Sequence, residues 1–173
     1  MMNITLIGMA GVGKSVIGKR LAEALHYEFI DIDERIEGKF KLRLQEILNR
    51  LGEQGFLEME EQTILGLGPV NHAVISPGGS AIYSAKAMTY LKKHSVMVFL
   101  NAPFEMIKKQ IPNLSSRGIV WQKKKDLKLL FQERKPFYER YADITIDIRR
   151  DSNIDALVRE ILQKLLPVQA TGL

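Results

Sequence analysis

The sequence predicts an α/β domain built on a five-stranded parallel sheet with helices on both faces. Short runs rich in Ile and Val recur along the chain, and stretches with apolar residues at helical spacing lie between them. Parallel strands need crossover connections that are usually helical, so this alternation favours a helix-covered parallel sheet. The 173 residues fit one domain, which we place at residues 1–166, with a C-terminal tail at 167–173.

The strands are predicted where apolar runs are short and rich in β-branched residues. They are expected at residues 4–7, 28–30, 73–76, 96–100 and 144–148. Three helical stripes lie between or after them: Val16, Ile17, Leu21 and Leu25; Leu44, Ile47, Leu48 and Leu51; Ile154, Leu157, Ile161 and Leu165. The segment 111–125 lacks such periodicity, and unpatterned loops of that length are usually functional, so we expect a mobile lid at about 112–124.

Composition narrows the function classes. The chain has no cysteine, which excludes disulfides and thiolate metal sites and favours a cytoplasmic location. Its net charge is +5, but Lys and Arg are dispersed apart from the run at 122–126, so no nucleic-acid partner is expected. No apolar run approaches the ~18 residues that span a bilayer, so no membrane partner is expected either. We expect a monomer.

The strongest chemical motif is GMAGVGKS at residues 8–15, which matches G-x-x-x-x-G-K-[ST] between a predicted strand and a predicted helix. Its glycines let the backbone N–H groups surround an anion at the positive end of the following helix. Lys14 can reach the β- and γ-phosphates of a nucleotide, and the Ser15 hydroxyl can ligate Mg²⁺. The motif therefore predicts a magnesium–nucleotide site.

Two weaker motifs follow the second and third predicted strands. Asp31 and Asp33 form D-x-D, and Gly78 and Gly79 lie in SPGGS at residues 76–80. Ligands of open parallel sheets gather outside the carboxyl ends of the strands, so both motifs are expected near the phosphate loop. Strand alternation would point the two carboxylates to different sides, one toward a metal and one toward a hydroxyl. Taken alone, the acids are equally compatible with helix capping, and the glycines with a plain turn.

The order of these motifs resembles the shikimate kinase family over residues 3–166. After the phosphate loop and D-x-D come G-E-x-x-F at 52–56, the double glycine, an arginine in a loop, and RKPFYERYAD at 134–143. The resemblance implies a small P-loop fold like that of the nucleoside monophosphate kinases, with a mobile lid. It also implies ATP and Mg²⁺ on the donor side and the 3-hydroxyl of shikimate as acceptor.

The resemblance assigns roles to individual residues. The catalytic group comprises Lys14, Asp33 and Arg117. The nucleotide group comprises Gly8, Gly11, Val12, Gly13, Lys14, Ser15, Val16 and the lid residue Arg117. The acceptor group comprises Asp33, Gly78, Gly79, Ser80, Arg134 and the position of Leu57. The metal group comprises Ser15 and, through water, Asp31.

The chain departs from the family pattern on the acceptor side. Leu57 stands where the family has an arginine that clamps the acceptor carboxylate, Ser80 replaces a third glycine, and the lid reads RGIV at 117–120 instead of R-P-L-L. Three alternatives follow: Arg43 takes over the clamp, the acceptor is another polyol or sugar acid such as gluconate, or the protein is a nucleotide-binding module without small-molecule kinase activity. The retained Asp33 and Arg134 favour catalysis.

Overall fold

The computed structural model describes residues 2–110 and 126–170, with side chains described as far as Pro167. It contains one sheet of five strands, all paired in parallel. The strands are β1 (Asn3–Ile7), β2 (Glu28–Asp31), β3 (Ala73–Ser76), β4 (Ser95–Asn101) and β5 (Ile144–Asp147). Each matches its predicted range to within one residue at either end, so the parallel-sheet prediction is confirmed.

Seven helices lie within the described residues. They are α1 (Lys14–Leu25), α2 (Ile32–Phe40), α3 (Leu44–Leu65), α4 (Ala85–His94), α5 (Phe104–Gln110), α6 (Leu127–Tyr141) and α7 (Ile154–Ala170). A short 3₁₀ turn, Ala81–Tyr83, joins the end of β3 to α4. Helices α1 and α7 contact each other and cover one face of the sheet, whereas α4 and α6 both pack on β4. The sheet is thus buried between two helical layers.

The strand order β2-β3-β1-β4-β5 places β1 at the centre. From β1 the chain first builds β2 and β3 on one side and then β4 and β5 on the other. In sheets of this kind the crevice at the carboxyl end of the strand where the direction reverses is the usual ligand site. The phosphate loop follows β1 directly, and β2 ends at Asp31, which pairs with Ser76 at the end of β3. Topology therefore gathers all three predicted motifs at one edge.

Several residues of the predicted apolar stripes prove exposed. Val16 is 57% exposed, Leu51 44% and Ile154 41%. Each lies at the edge of its stripe, where helical rotation has already carried the side chain away from the core. Helix α3 is also interrupted, because Gly52 has φ 70° and ψ 176°, a backbone conformation that breaks the helical path. The stripe that ends at Leu51 therefore ends at a kink.

The predicted C-terminal tail and the predicted lid can be compared with the structure only in part. Helix α7 continues through Pro167 to Ala170, so the first four residues of the predicted tail are helical. The domain boundary at residue 166 stays a prediction, and the predicted lid at 112–124, with Arg117, lies outside the described residues. Among the helices that the structure does describe, none is both long and apolar enough to cross a membrane.

Candidate active site

The phosphate loop connects β1 to α1 as the motif predicted. Gly13 is the residue immediately before α1 and has φ 99°, a left-handed conformation that favours glycine. The first turn of α1, all of which is described, contains no acidic residue that would offset the positive helix end. Val12 is buried in the core and its N–H bonds the Met9 carbonyl at 3.2 Å. The loop thus combines a tight turn with an uncompensated helix N-terminus, which suits an anion.

Lys14 is the first residue of α1, and its side chain reaches back to the loop. Its Nζ donates to the carbonyl oxygens of Gly8 at 2.8 Å and of Met9 at 3.1 Å. Burial lowers the pKa of Lys14 to about 8, although the nearby carboxylates of Asp33 and Asp31 act in the opposite direction. The ammonium is therefore poorly solvated, and an incoming anion would stabilise its charge.

Ser15 and Asp31 form the next layer of the site. The Ser15 hydroxyl donates to Asp31 Oδ2 at 2.7 Å. Asp31 also caps α2, because its Oδ1 accepts from the N–H groups of Asp33 at 3.0 Å and Glu34 at 3.4 Å. The structure therefore shows the capping role that was the alternative for Asp31 and places Asp31 beside Ser15, while the metal role of both residues stays a prediction. The prediction that Asp31 and Asp33 alternate along a strand is wrong, since Asp33 lies in the first turn of α2.

A cavity of about 490 Å³ opens at this edge of the sheet. Its walls include the predicted site residues Gly11, Gly13, Lys14, Ser15, Val16, Asp33 and Gly79. Val16 thus lines the cavity with an exposed side chain. This position is compatible with its predicted place in the nucleotide group and not with its predicted place in an apolar core stripe. Burial raises the pKa of Asp33 to about 7, helped by the charges of Glu60 and Asp31 and opposed by Lys14. A carboxyl group that titrates near neutrality suits general-base chemistry.

Glu60 and Ser80 form a buried pair behind the cavity. Glu60 is only 1% exposed, and the Ser80 hydroxyl donates to its Oε2 at 2.7 Å. Burial raises the pKa of the Glu60 carboxyl, and the Ser80 hydrogen bond partly counters that rise. A side chain at Gly78 would collide with the carboxyl oxygens of Glu60 and Asp33, so glycine is required there. Ser80, assigned to the acceptor group, is thus bonded to Glu60, and its role toward an acceptor stays a prediction.

Arg134 lies against the double glycine. It comes from α6, is 1% exposed, and donates from Nε to the Tyr83 hydroxyl at 3.2 Å. A side chain on Gly79 would lie 3.1 Å from Arg134 Nη1, so the missing Cβ lets the guanidinium approach the turn. The Tyr138 hydroxyl donates to the Gly79 carbonyl at 2.7 Å and holds the turn from the same helix. Gly79 therefore lies between Arg134 and the cavity.

The remaining residues that the sequence assigned to the site do not line the cavity in the part of the chain that the structure describes. Leu57 is half-buried and packs against the core from the second part of α3. Arg43, the alternative clamp, is a largely exposed side chain that pairs with Glu37 at 3.6 Å. Glu37 itself lines the cavity, so Arg43 lies near its rim. Arg117 lies outside the described residues.

Five residues of the cavity wall had no predicted role in the site: Ala10 and Ser76, which lie within the quoted motifs, and Glu37, Leu44 and Gln110, which lie outside them. Glu37 follows Asp33 by four positions, which places both on one face of α2. This spacing is informative only where a helix is predicted, and none of the three predicted apolar stripes covers residues 32–40. Gln110 ends α5, and no local pattern in the sequence marks it.

Known proteins resemble this chain over nearly its whole length. The shikimate kinase family model matches residues 10–166. A shikimate kinase from Caldanaerobacter subterraneus subsp. tengcongensis is 32% identical over 171 residues, which cover 98% of this chain and 99% of the relative.

Solved structures agree with the sequence comparison. A shikimate kinase from Acinetobacter baumannii in complex with shikimate superposes with a TM-score of 0.87 at 29% identity, covering 96% of this chain and 94% of that one. A gluconokinase from Sinorhizobium meliloti has a TM-score of 0.60 at 21% identity, covering 96% and 93%, which shows the shared fold alone.

Proposed function

Because the chain belongs to the shikimate kinase family, we propose that it transfers the γ-phosphoryl group of ATP to the 3-hydroxyl of shikimate. One observation carries the proposal most directly. Lys14 and Ser15 of the phosphate loop line the same cavity as Asp33, a carboxyl group whose pKa is about 7. The groups proposed to bind the donor and to activate the acceptor thus line one cavity, which direct phosphoryl transfer requires.

On the donor side, the loop and Lys14 would hold the phosphates. Residues 8–13 offer backbone N–H groups and the positive end of α1, and Lys14 offers an ammonium whose charge is destabilised by burial. Phosphate oxygens would take the place of the Gly8 and Met9 carbonyls as its partners. Phosphoryl transfer depends mostly on positioning and charge neutralisation, and these groups supply both. We propose that Arg117 adds a further cation from the lid.

The oxygen donors present fit a magnesium ion bound together with the nucleotide. Ser15 Oγ and Asp31 Oδ2 are adjacent at 2.7 Å and beside the phosphate loop. Mg²⁺ prefers oxygen ligands and usually binds through one or two protein groups, phosphate oxygens and water. The described residues contain no cluster of three or more His, Asp or Glu that could hold a metal unaided. When bound, Mg²⁺ would neutralise charge that develops on the transferred phosphoryl group.

On the acceptor side, Asp33 would accept the proton of the reacting hydroxyl. Its pKa of about 7 leaves a substantial ionised fraction at neutral pH while keeping the group basic enough to accept a proton. Gly79 lines the cavity, and the missing side chains at Gly78 and Gly79 would let Asp33 and Arg134 lie close to the turn beside which the acceptor binds. Arg134 would bind the acceptor carboxylate from behind Gly79, and Leu57 would leave that carboxylate with one arginine fewer than the family pattern.

The proposal is tested by an ATPase-coupled screen of shikimate, gluconate and related hydroxy acids with the purified protein. We expect ATP consumption that depends on shikimate. Consumption with gluconate alone would assign another sugar acid, and none with any acceptor would favour a nucleotide-binding module. The proposal includes a monomeric, cytoplasmic protein; the absence of cysteine supports the location.

A further inference from the structure

The geometry around Arg134 points to Tyr83 as a positioning residue for the acceptor carboxylate. Tyr83 is the last residue of the 3₁₀ turn that follows the double glycine. The inference rests on the proposed function, because Arg134 is the proposed carboxylate ligand. Neither the motif order nor the family resemblance assigned Tyr83 a role.

Tyr83 contacts Arg134 in two ways. The Arg134 Nε donates to the Tyr83 hydroxyl at 3.2 Å, and the guanidinium carbon lies 5.2 Å from the centroid of the Tyr83 ring. The hydrogen bond and the cation–π contact restrain different motions of the same planar group. The ring itself is fixed by an edge-to-face contact with Phe137, at 6.1 Å between centroids.

Glu133 fixes the direction of the hydroxyl group. The Tyr83 hydroxyl lies 2.6 Å from Glu133 Oε1, and an ionised carboxylate can only accept. Arginine Nε can only donate. The single phenolic proton must therefore point to Glu133, which leaves a lone pair of the oxygen directed to Arg134. Burial raises the pKa of Tyr83, so the proton stays in place at neutral pH.

This arrangement matters because the acceptor side lacks one arginine. An arginine side chain carries about 2 kcal/mol of rotamer entropy, which binding must overcome unless the group is already oriented. Leu57 offers no hydrogen bond to a carboxylate, so a larger part of carboxylate binding falls on Arg134. Tyr83 reduces the ordering cost at that residue. Tyr83 also follows Gly79 by only four positions, in the 3₁₀ turn directly after the double glycine, so it couples the position of Arg134 to that of the cavity wall.

Tyr83→Phe tests the inference because it removes the hydroxyl and keeps the ring. The matched control is Tyr90→Phe, on the neighbouring α4, where the hydroxyl donates to the Gly68 carbonyl. We expect Tyr83→Phe to raise KM for shikimate roughly tenfold, the lower end of what a hydrogen bond to a charged group contributes. The turnover number and KM for ATP should stay within about twofold, because the carboxylate is held alike before and during transfer. Thermal unfolding checks that both variants fold.

The uncharged carboxamide of shikimate separates positioning from general disturbance. Measured as a substrate or as a competitive inhibitor, its affinity should change less than about twofold in Tyr83→Phe, because it has no charge for Arg134 to meet. An equal loss for shikimate and carboxamide, a fall in turnover number, or unchanged kinetics would each overturn the inference. If the unsubstituted protein does not phosphorylate shikimate, the proposed function fails first and this inference falls with it.

Discussion

Replacing Asp33 by asparagine removes the proposed proton acceptor while keeping side-chain size. Loss of a positioned general base typically lowers turnover by about 10²–10⁴-fold, so we expect at least a hundredfold fall in kcat. ATP affinity should change much less, because Ser15, Lys14 and the loop backbone remain. The variant therefore separates acceptor chemistry from nucleotide binding.

The pKa of Asp33 gives this prediction a second, quantitative signature. With a pKa of about 7, the ionised fraction of Asp33 rises from roughly one tenth at pH 6 to nine tenths at pH 8. The rate of the unsubstituted enzyme should therefore rise roughly fivefold over that range when both substrates are well below their KM values, because the free enzyme then controls the rate and Lys14, with a pKa of about 8, has lost about half of its charge by pH 8. Asp33→Asn should lose this rise.

Glu37→Gln is the matched control, since Glu37 is a second carboxylate in the cavity wall. The charge of Glu37 raises the pKa of Asp33 slightly, so its removal should shift the pH profile toward acid and keep most activity. Two results would refute the base assignment: a pH profile that Asp33→Asn leaves intact, or a loss of ATP binding with chemistry on bound substrates preserved.

Three further predictions follow from the same geometry. Lys14→Ala should lower turnover by roughly 10²–10³-fold or more, whereas Lys19→Ala, at an exposed position of the same helix, should have little effect. If single-turnover rates of Lys14→Ala equalled those of the unsubstituted protein, the phosphate-loop assignment would be wrong. Leu57→Arg should restore a second carboxylate clamp and improve kcat/KM for shikimate roughly ten- to hundredfold, mainly through KM, and a flat result in steady-state kinetics would indicate that the acceptor pocket is already complete or built for another acceptor. The folded-state pKa of Asp33 lies above its usual 3.8, so the folded protein keeps this proton to higher pH than the unfolded chain does. The free energy of unfolding should therefore fall as pH rises from about 4 to 7, by at most about 4 kcal/mol from this group and by less where cavity water screens it. Urea titrations of the nucleotide-free protein should show a smaller fall for Asp33→Asn, and an equal fall would contradict the assignment of Asp33 as a buried acid.

The sheet and the phosphate loop were predictable because their signals are local. Each strand is a short apolar run bounded by polar residues, and GMAGVGKS carries its own turn, helix start and chemistry within eight positions. The predicted strand ranges therefore agree with the structure to within a residue. The exposed Val16 and Leu51 show the limit of the same signal, since periodicity locates an apolar stripe more accurately than its edges.

The acceptor side was less predictable because it is assembled from distant parts of the chain. Ser80 bonds Glu60 across 20 positions, and Tyr83 bonds Arg134 across 51. No local pattern encodes such pairs. Asp31 illustrates a different difficulty, since one carboxylate both caps α2 and accepts from Ser15. Capping α2 is therefore compatible with a position beside Ser15, and the metal role of Asp31 stays a prediction.

The most direct test of the account is the identity of the phosphorylated product. Purified protein is incubated with ATP, Mg²⁺ and shikimate, and ³¹P NMR with mass spectrometry identifies the phosphate ester and the hydroxyl that carries it. The account predicts a monophosphate ester at the 3-hydroxyl, formed in equal amount to ADP and absent with Lys14→Ala. An ester at another hydroxyl, ADP without ester, or ester formed from gluconate and not from shikimate would contradict it.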